Sequence, residues 1–150
     1  MEQKIELSAN CPENIRYAAA GDVKTAFELI KLLGSDEFSF EEFEVCFEYN
    51  LRENFVLLYE DSEVLGLGVL TVIYPLHHSK KIAEILELVT AENARGKGVG
   101  KKLFDAMTEL AWQNKCGGIE VASNKIREDA HRFYLREGFN DTHCKLTKKF

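Results

Sequence analysis

Proline is scarce in this chain, with two in 150 residues, and the balance of 45% hydrophobic to 29% charged residues is that of a soluble globular protein. No apolar run is long enough for a membrane span. The N-terminus, Met1-Glu-Gln-Lys-Ile-Glu6, lacks the basic and then apolar layout of a secretory leader, so the cytoplasm is the expected location. Cysteine is sparse too. Cys11, Cys46, Cys116 and Cys144 have no close spacing of the metal-binding kind and are expected as reduced thiols. Positive charge is in deficit, and a formal net charge of -6 argues against nucleic acid as the main partner. A chain of this length has room for one hydrophobic core, hence a single domain over residues 1–150.

What the chain does have is a local concentration of glycine and lysine. The stretch Ala94-Arg-Gly-Lys-Gly-Val-Gly-Lys-Lys-Leu103 holds three of each in ten positions, just before an apolar periodic run. Glycines let backbone N–H groups approach a ligand, and a helix start favours an anion, so phosphate is the first expectation. Counting excludes two phosphate loops. A P-loop needs four residues between its glycines and a hydroxyl after its lysine, whereas Gly96 and Gly100 enclose three residues and Lys102 stands at the hydroxyl position. A dinucleotide fingerprint would need glycine where Lys101 or Leu103 stands.

Along the chain, Asn14 to Ala18 reads as a first strand. Asp22 is placed to cap a helix whose apolar spacing runs through Val23, Ala26, Phe27, Ile30 and Leu33 to a stop at Gly34. Ser39-Phe-Glu-Glu42 predicts a capping box opening a second helix with Phe43, Cys46, Phe47 and Leu51 on one face. The acids of its other face, Glu41, Glu42, Glu44 and Glu48, read as a solvated face that could also attract an amine. Phe55–Tyr59 and Val64–Tyr74 predict a hairpin, Pro75–Lys81 a loop, and Ala83–Thr90 a central strand carrying two acids, Glu84 and Glu87. A helix from Val99 to Gly117-Gly118, a short strand at Ile119–Ala122, a helix capped by Asp129 and closed by Gly138, and a last strand in the tail Phe139–Phe150 complete the order βααβββαβαβ.

That order, with EILELVTAENARGKGVGKKL and DAHRFYLREGF, resembles the GCN5-related N-acetyltransferase (GNAT) superfamily over nearly the whole chain. The resemblance implies a mixed α/β (α+β) fold, a mostly antiparallel sheet flanked by about four helices, and acetyl-CoA as co-substrate. It implies that the backbone of Arg95, Gly96, Lys97, Gly98, Val99, Gly100 and Lys101 cradles the pyrophosphate, that a backbone N–H near Leu88 or Val89 meets the developing oxyanion, and that Tyr134 lies near the thiol sulfur. Within the superfamily, the Leu-His-His loop at 76–78, the Glu-Ile-x-Glu-Leu-Val strand, the Ala-Arg-Gly turn and Asn50-Leu51-Arg52 look like the bacterial aminoalkylphosphonate N-acetyltransferases. The phosphonate resemblance leaves room for dependence on a divalent cation, and a homodimer is left open. One departure stands out: Arg127 occupies the position, seven before the tyrosine, where an asparagine is usual, and Asn124 lies three residues earlier.

The chemistry assigns candidates. An alkylammonium has a pKa near 10, so a base that takes its proton during attack is worth about a hundredfold or more. Glu84 and Glu87, three apart, are expected on opposite faces of an extended strand. Glu84 is read as the base or as a strand-end carboxylate paired with a lysine such as Lys81. Glu87 is read as a structural acid or as a substrate or metal ligand. By resemblance Leu86 occupies the position where small-molecule members more often carry an acid. Tyr134, a phenol, can protonate a leaving thiolate, against the plainer reading of a core tyrosine with a wet hydroxyl. For a small-molecule amine bearing a phosphonate, His78, Arg127 and His131 are candidate substrate contacts alongside Glu87; a protein, peptide or other amine acceptor, and a non-catalytic acyl-CoA-binding regulatory role, are the alternative readings.

Overall fold

The computed structural model describes residues 4–34 and 36–150. Nine regular elements follow in order: β1 (Ile15–Tyr17), α1 (Val23–Lys31), α2 (Phe40–Glu53), β2 (Phe55–Asp61), β3 (Glu63–Ile73), β4 (Ile82–Thr90), α3 (Val99–Gln113), β5 (Ile119–Val121) and α4 (Glu128–Arg136). The five strands form one sheet in the order β1-β2-β3-β4-β5. All neighbours are antiparallel except β4 and β5, which are parallel and joined through α3.

Local signals account for most boundaries. The capping box is present: the Glu42 N–H donates to Ser39 Oγ at 3.1 Å and the Ser39 N–H donates to Glu42 Oε2 at 2.8 Å. The β2–β3 connection is tighter than the polar run suggests, because Ser62 takes a positive φ of 58° and lets Asp61 pair with Glu63. Asp22 does not cap α1 with its side chain. A turn of 3-10 helix precedes α1, and the Asp22 carboxylate accepts instead from the Ala19 N–H and from both terminal nitrogens of Arg16. Nor does Asp129 cap α4, since the helix begins one residue before it and Arg127 takes the flanking position. The third helix ends at Gln113, short of Gly117-Gly118. Lys115 adopts φ 59° there, and the Cys116 N–H returns to the Ala111 carbonyl at 3.0 Å, a left-handed stop formed without glycine. The expected last strand is absent: residues 139–150 carry no regular structure, and the observed order ends at α4. All four cysteines are free thiols.

Two apolar clusters sandwich the sheet. On one face α3 buries Leu103, Ala106, Met107 and Leu110 against Leu57, Leu70, Ala83 and Ile85, with Tyr134 of α4 in the same cluster. On the other, α1 and α2 bring Ala26, Leu29 and Phe47 onto Val56, Leu58, Leu67, Val69 and Val89. Full burial of each such Val, Leu, Ile, Met or Phe side chain contributes about 1.5–3 kcal/mol. The seat of α3 depends on two glycines in β3. A Cβ on Gly66 would come within 2.8 Å of both Leu103 Cδ1 and Val99 Cγ1, and one on Gly68 within 3.1 Å of Met107 Sδ. Their bare backbone lets the first turns of α3 lie close on the sheet, which sets where the helix start points. Among the described residues no helix is long and apolar enough to cross a membrane.

Two outcomes follow from this packing. Gly66→Val overpacks the α3 seat and should lower the urea-unfolding free energy by about 1–3 kcal/mol. The Asp22 carboxyl is held below the usual aspartate range chiefly by its bonds to Arg16. Its stabilisation is complete above the unfolded pKa of about 3.9 and is lost as pH falls toward the lower folded value. Asp22→Asn should therefore flatten the stability–pH curve below about pH 4 relative to the parent, read from melting temperature against pH.

Candidate active site

The centre of the site is an irregularity in β4. Opposite β3, Glu84 pairs with Thr71 and Ile85 with Leu70, but Glu87 pairs with Val69, so Leu86 is an extra residue. Thr71 and Val69 are two apart and share a face, and therefore so do Glu84 and Glu87. The bulge overturns the expectation that the two acids face opposite ways. Both lie on the α1–α2 side of the sheet, yet they differ in setting. Glu84 is at the end where β4 and β5 still pair, in register with Glu120. Past Ile85 that pairing stops, so the strands part and one backbone edge of β4 around Leu88 and Val89 faces an opening.

Glu87 sits at that opening and lines a cleft of about 790 Å³. Phe38, Phe43 and Phe47 form one wall, Leu86 and Glu87 the other, with Asp36, Glu37 and Glu42 near the rim and Lys145 of the tail joining them. Burial raises the Glu87 carboxyl above the usual glutamate range, and the positive charges of Arg127 and Lys145 only partly offset that. Burial also pushes the Tyr134 phenol up to about 12, with Arg127 lowering and Glu87 raising it. Glu87, Arg127 and Tyr134 thus share one electrostatic neighbourhood, and at neutral pH the phenol is protonated. Tyr134 is fixed by its ring, which meets Phe133 and Phe139 edge-on at 5.4 and 5.3 Å between centroids.

The glycine turn lies beyond the far end of β4. Gly96 and Gly98 both take positive φ, 75° and 78°, and Gly98 directly precedes α3. A Cβ at either would meet nothing within 4 Å, so the turn faces open space. The first backbone bond of the helix runs from the Lys102 N–H to the Gly98 carbonyl, which leaves the N–H groups of Val99, Gly100 and Lys101 ahead of the ladder. This is an anion cradle by geometry, and a nucleotide pyrophosphate fits it. Exposed Arg95 and Lys97 flank it. Two other lysines are committed elsewhere: Lys101 pairs with Asp105 and, at 3.0 Å, with Glu137, tying α3 to α4, and Lys102 lies 5.3 Å from the centre of the Tyr59 ring.

The remaining candidates are only partly gathered here. His78 lies on the loop before β4, its Nε2 3.4 Å from Glu120 and its ring 4.2 Å from that of His77, outside the cleft lining. The His131 Nε2–H donates to the Asn124 carbonyl at 3.0 Å, and Asn124 Oδ1 accepts from the Ile126 N–H, so both brace the loop leading into α4. Among the described residues no three His, Cys, Asp or Glu side chains gather as a metal centre. Sequence reasoning missed the aromatic wall and Lys145. The signal for the wall was present, with Phe38, Phe40, Phe43 and Phe47 crowded into ten positions. Nothing local marks Lys145.

A family model described as the acetyltransferase (GNAT) family matches residues 23–139. The chain is 35% identical over 137 residues to the aminoalkylphosphonate N-acetyltransferase of Salmonella typhimurium, with 89% of each chain covered. Among solved structures it is similar to a transcriptional regulator from Bacillus halodurans, at 25% identity and a TM-score of 0.79 over 91% of this chain and 98% of that one. It is also similar in fold to the glucosamine-6-phosphate N-acetyltransferase of Arabidopsis thaliana, at 21% identity and a TM-score of 0.72 over 91% and 97% of the two chains. A family match across most of the chain and a curated relative covering as much of it agree: this protein belongs to the GNAT acetyltransferase family, whose co-substrate is acetyl-CoA.

Proposed function

We propose that the protein acetylates the primary amine of an aminoalkylphosphonate by direct transfer, with Glu87 as the base and Tyr134 as the acid. The observation that carries this reading is the shared neighbourhood of Glu87, Arg127 and Tyr134 beside the parted strands. Acetyl-CoA supplies the activated thioester. The chain's residues supply the rest. The turn from Arg95 to Lys101 holds the pyrophosphate through backbone donors, and the free edge of β4 near Leu88 and Val89 offers an N–H to the carbonyl oxygen as charge develops there. A carboxyl raised by burial is a better proton acceptor, once ionised, than an ordinary glutamate. The protonated Tyr134 hydroxyl can donate to the departing sulfur.

Glu87 is preferred to Glu84 because it lines the cleft, whereas Glu84 stands beside Glu120 where β4 and β5 remain paired. For the acceptor, the acids around the cleft suit an ammonium, and Lys145 together with Arg127 suits a phosphonate. The relative from Salmonella typhimurium supports the same substrate class. His78 and the divalent cation have no part in this assignment.

Three measurements bear on it. Glu87→Gln should cut kcat/KM by about 10²–10⁴-fold and flatten its acid limb. In the parent that limb should lie above the ordinary glutamate value of about 4.3, because activity needs the ionised carboxylate and burial raises its pKa. If Glu84→Gln has the larger effect, the base is Glu84. Tyr134→Phe should lower kcat by about 10²-fold or more while changing acetyl-CoA binding little, and an unchanged kcat would remove the acid assignment. Finally, 2-aminoethylphosphonate should be acetylated well and ethanolamine poorly, as followed by thiol release; equal rates would sink the phosphonate reading.

A further inference from the structure

We propose that the acceptor carries an apolar, ring-sized body, and that Phe38 and Leu86 select for it from opposite walls of the cleft. This deepens the reading above, on which it rests: Glu87 meets the amine, and the body extends from there. The first ground is size. A cleft of about 790 Å³ falls within the range that encloses drug-sized ligands, whereas 2-aminoethylphosphonate has only a two-carbon spine between its ammonium and its phosphonate.

The second ground is the chemistry of the walls. Phe38 stacks on Phe43 and Phe43 on Phe47, with 20° between ring planes in each pair and centroids 6.0 and 5.8 Å apart, making a continuous aromatic surface. Phe38 belongs to the segment before α2 and is half-buried, so its ring is only partly used by the core. Across the cleft Leu86 is 42% exposed, a large apolar side chain left in water by the bulge and adjacent in sequence to Glu87. An acceptor whose ammonium sits at Glu87 would therefore lie beside apolar surface on both sides. The rim supplies the matching charge: Glu37 and Glu42 can draw a cation inward, while Lys145 can meet an anionic group. A small, wholly polar amine would leave both apolar walls wet, and a phenyl or branched alkyl group would cover them.

Four amines test this in a two-by-two design: 1-aminoethylphosphonate, 1-amino-2-phenylethylphosphonate, ethylamine and 2-phenylethylamine, each followed by thiol release from acetyl-CoA. We expect each phenyl compound to exceed its small counterpart by about tenfold or more in kcat/KM, chiefly through KM. Phe38→Ala should reduce that preference severalfold. If Phe38→Ala does not fold, Leu86→Ala on the opposite wall makes the same test. A preference for the small amine in each pair, equality within pairs, or no turnover of either phenyl compound overturns the inference. The phosphonate reading fails separately, when 2-phenylethylamine does as well as its phosphonate counterpart and ethylamine as well as 1-aminoethylphosphonate.

Discussion

One extra residue in β4 organises the site. A regular strand would send Glu84 and Glu87 to opposite faces and continue its pairing toward β5. With Leu86 inserted opposite the Val69–Leu70 step, Glu87 is turned onto the α1–α2 face, and β4 parts from β5 just beyond Ile85. The same insertion leaves Leu86 itself outside the core. A single local irregularity therefore supplies the buried carboxylate, the unpaired strand edge and the apolar wall next to it. The backbone groups of β4 left without a strand partner are open there to water or to a ligand.

The two faces of the sheet then divide the work. The α3 face is packed to hold position: Gly66 and Gly68 bring the helix close, Leu103 and Met107 fill the contact, and the turn at Gly96–Gly98 follows from where that helix must begin. Tyr134 belongs to this rigid side, clamped among aromatic rings. The α1–α2 face is looser at the cleft, where half-buried phenylalanines and charged rim residues replace a closed core. A donor with a constant handle needs the first kind of surface. An acceptor that varies between enzymes needs the second, where side chains can change without moving the donor turn.

This division also explains what was legible in the sequence. The glycine turn, the capping box and the helix faces are local, set by φ requirements and by apolar spacing, and they read directly from the chain. The order of elements up to α4 read correctly for the same reason. What failed depended on non-local facts. No periodicity in Glu84–Glu87 reveals a bulge that exists because of register with β3, and the tail after Phe139 has strand-like composition but no strand partner in the fold. The end of α3 misled because Lys115, not the glycine pair, takes the left-handed turn. Lys145 reaches the cleft only through the path of the tail, and the hydrogen bonds of Asn124 and His131 to the loop leading into α4 are likewise set by the fold.

Charge placement follows the same logic. In a chain of net charge -6, many cations are neutralised close at hand: Arg16 by Asp22 and Glu60, Lys31 by Glu28, Lys101 by Asp105 and Glu137, Arg132 by Asp129. Apart from the partly buried Arg16–Asp22 pair, these are exposed pairs that add little stability, so their main effect is to cancel long-range field. Arg95 and Lys97 at the donor turn, and Arg127 with Lys145 near Glu87, join no ion pair among the described residues. An acidic protein arranged in this way can draw a cationic amine toward the cleft and still keep a local positive field at the glycine turn and beside Glu87, where these cations are left unpaired among the described residues.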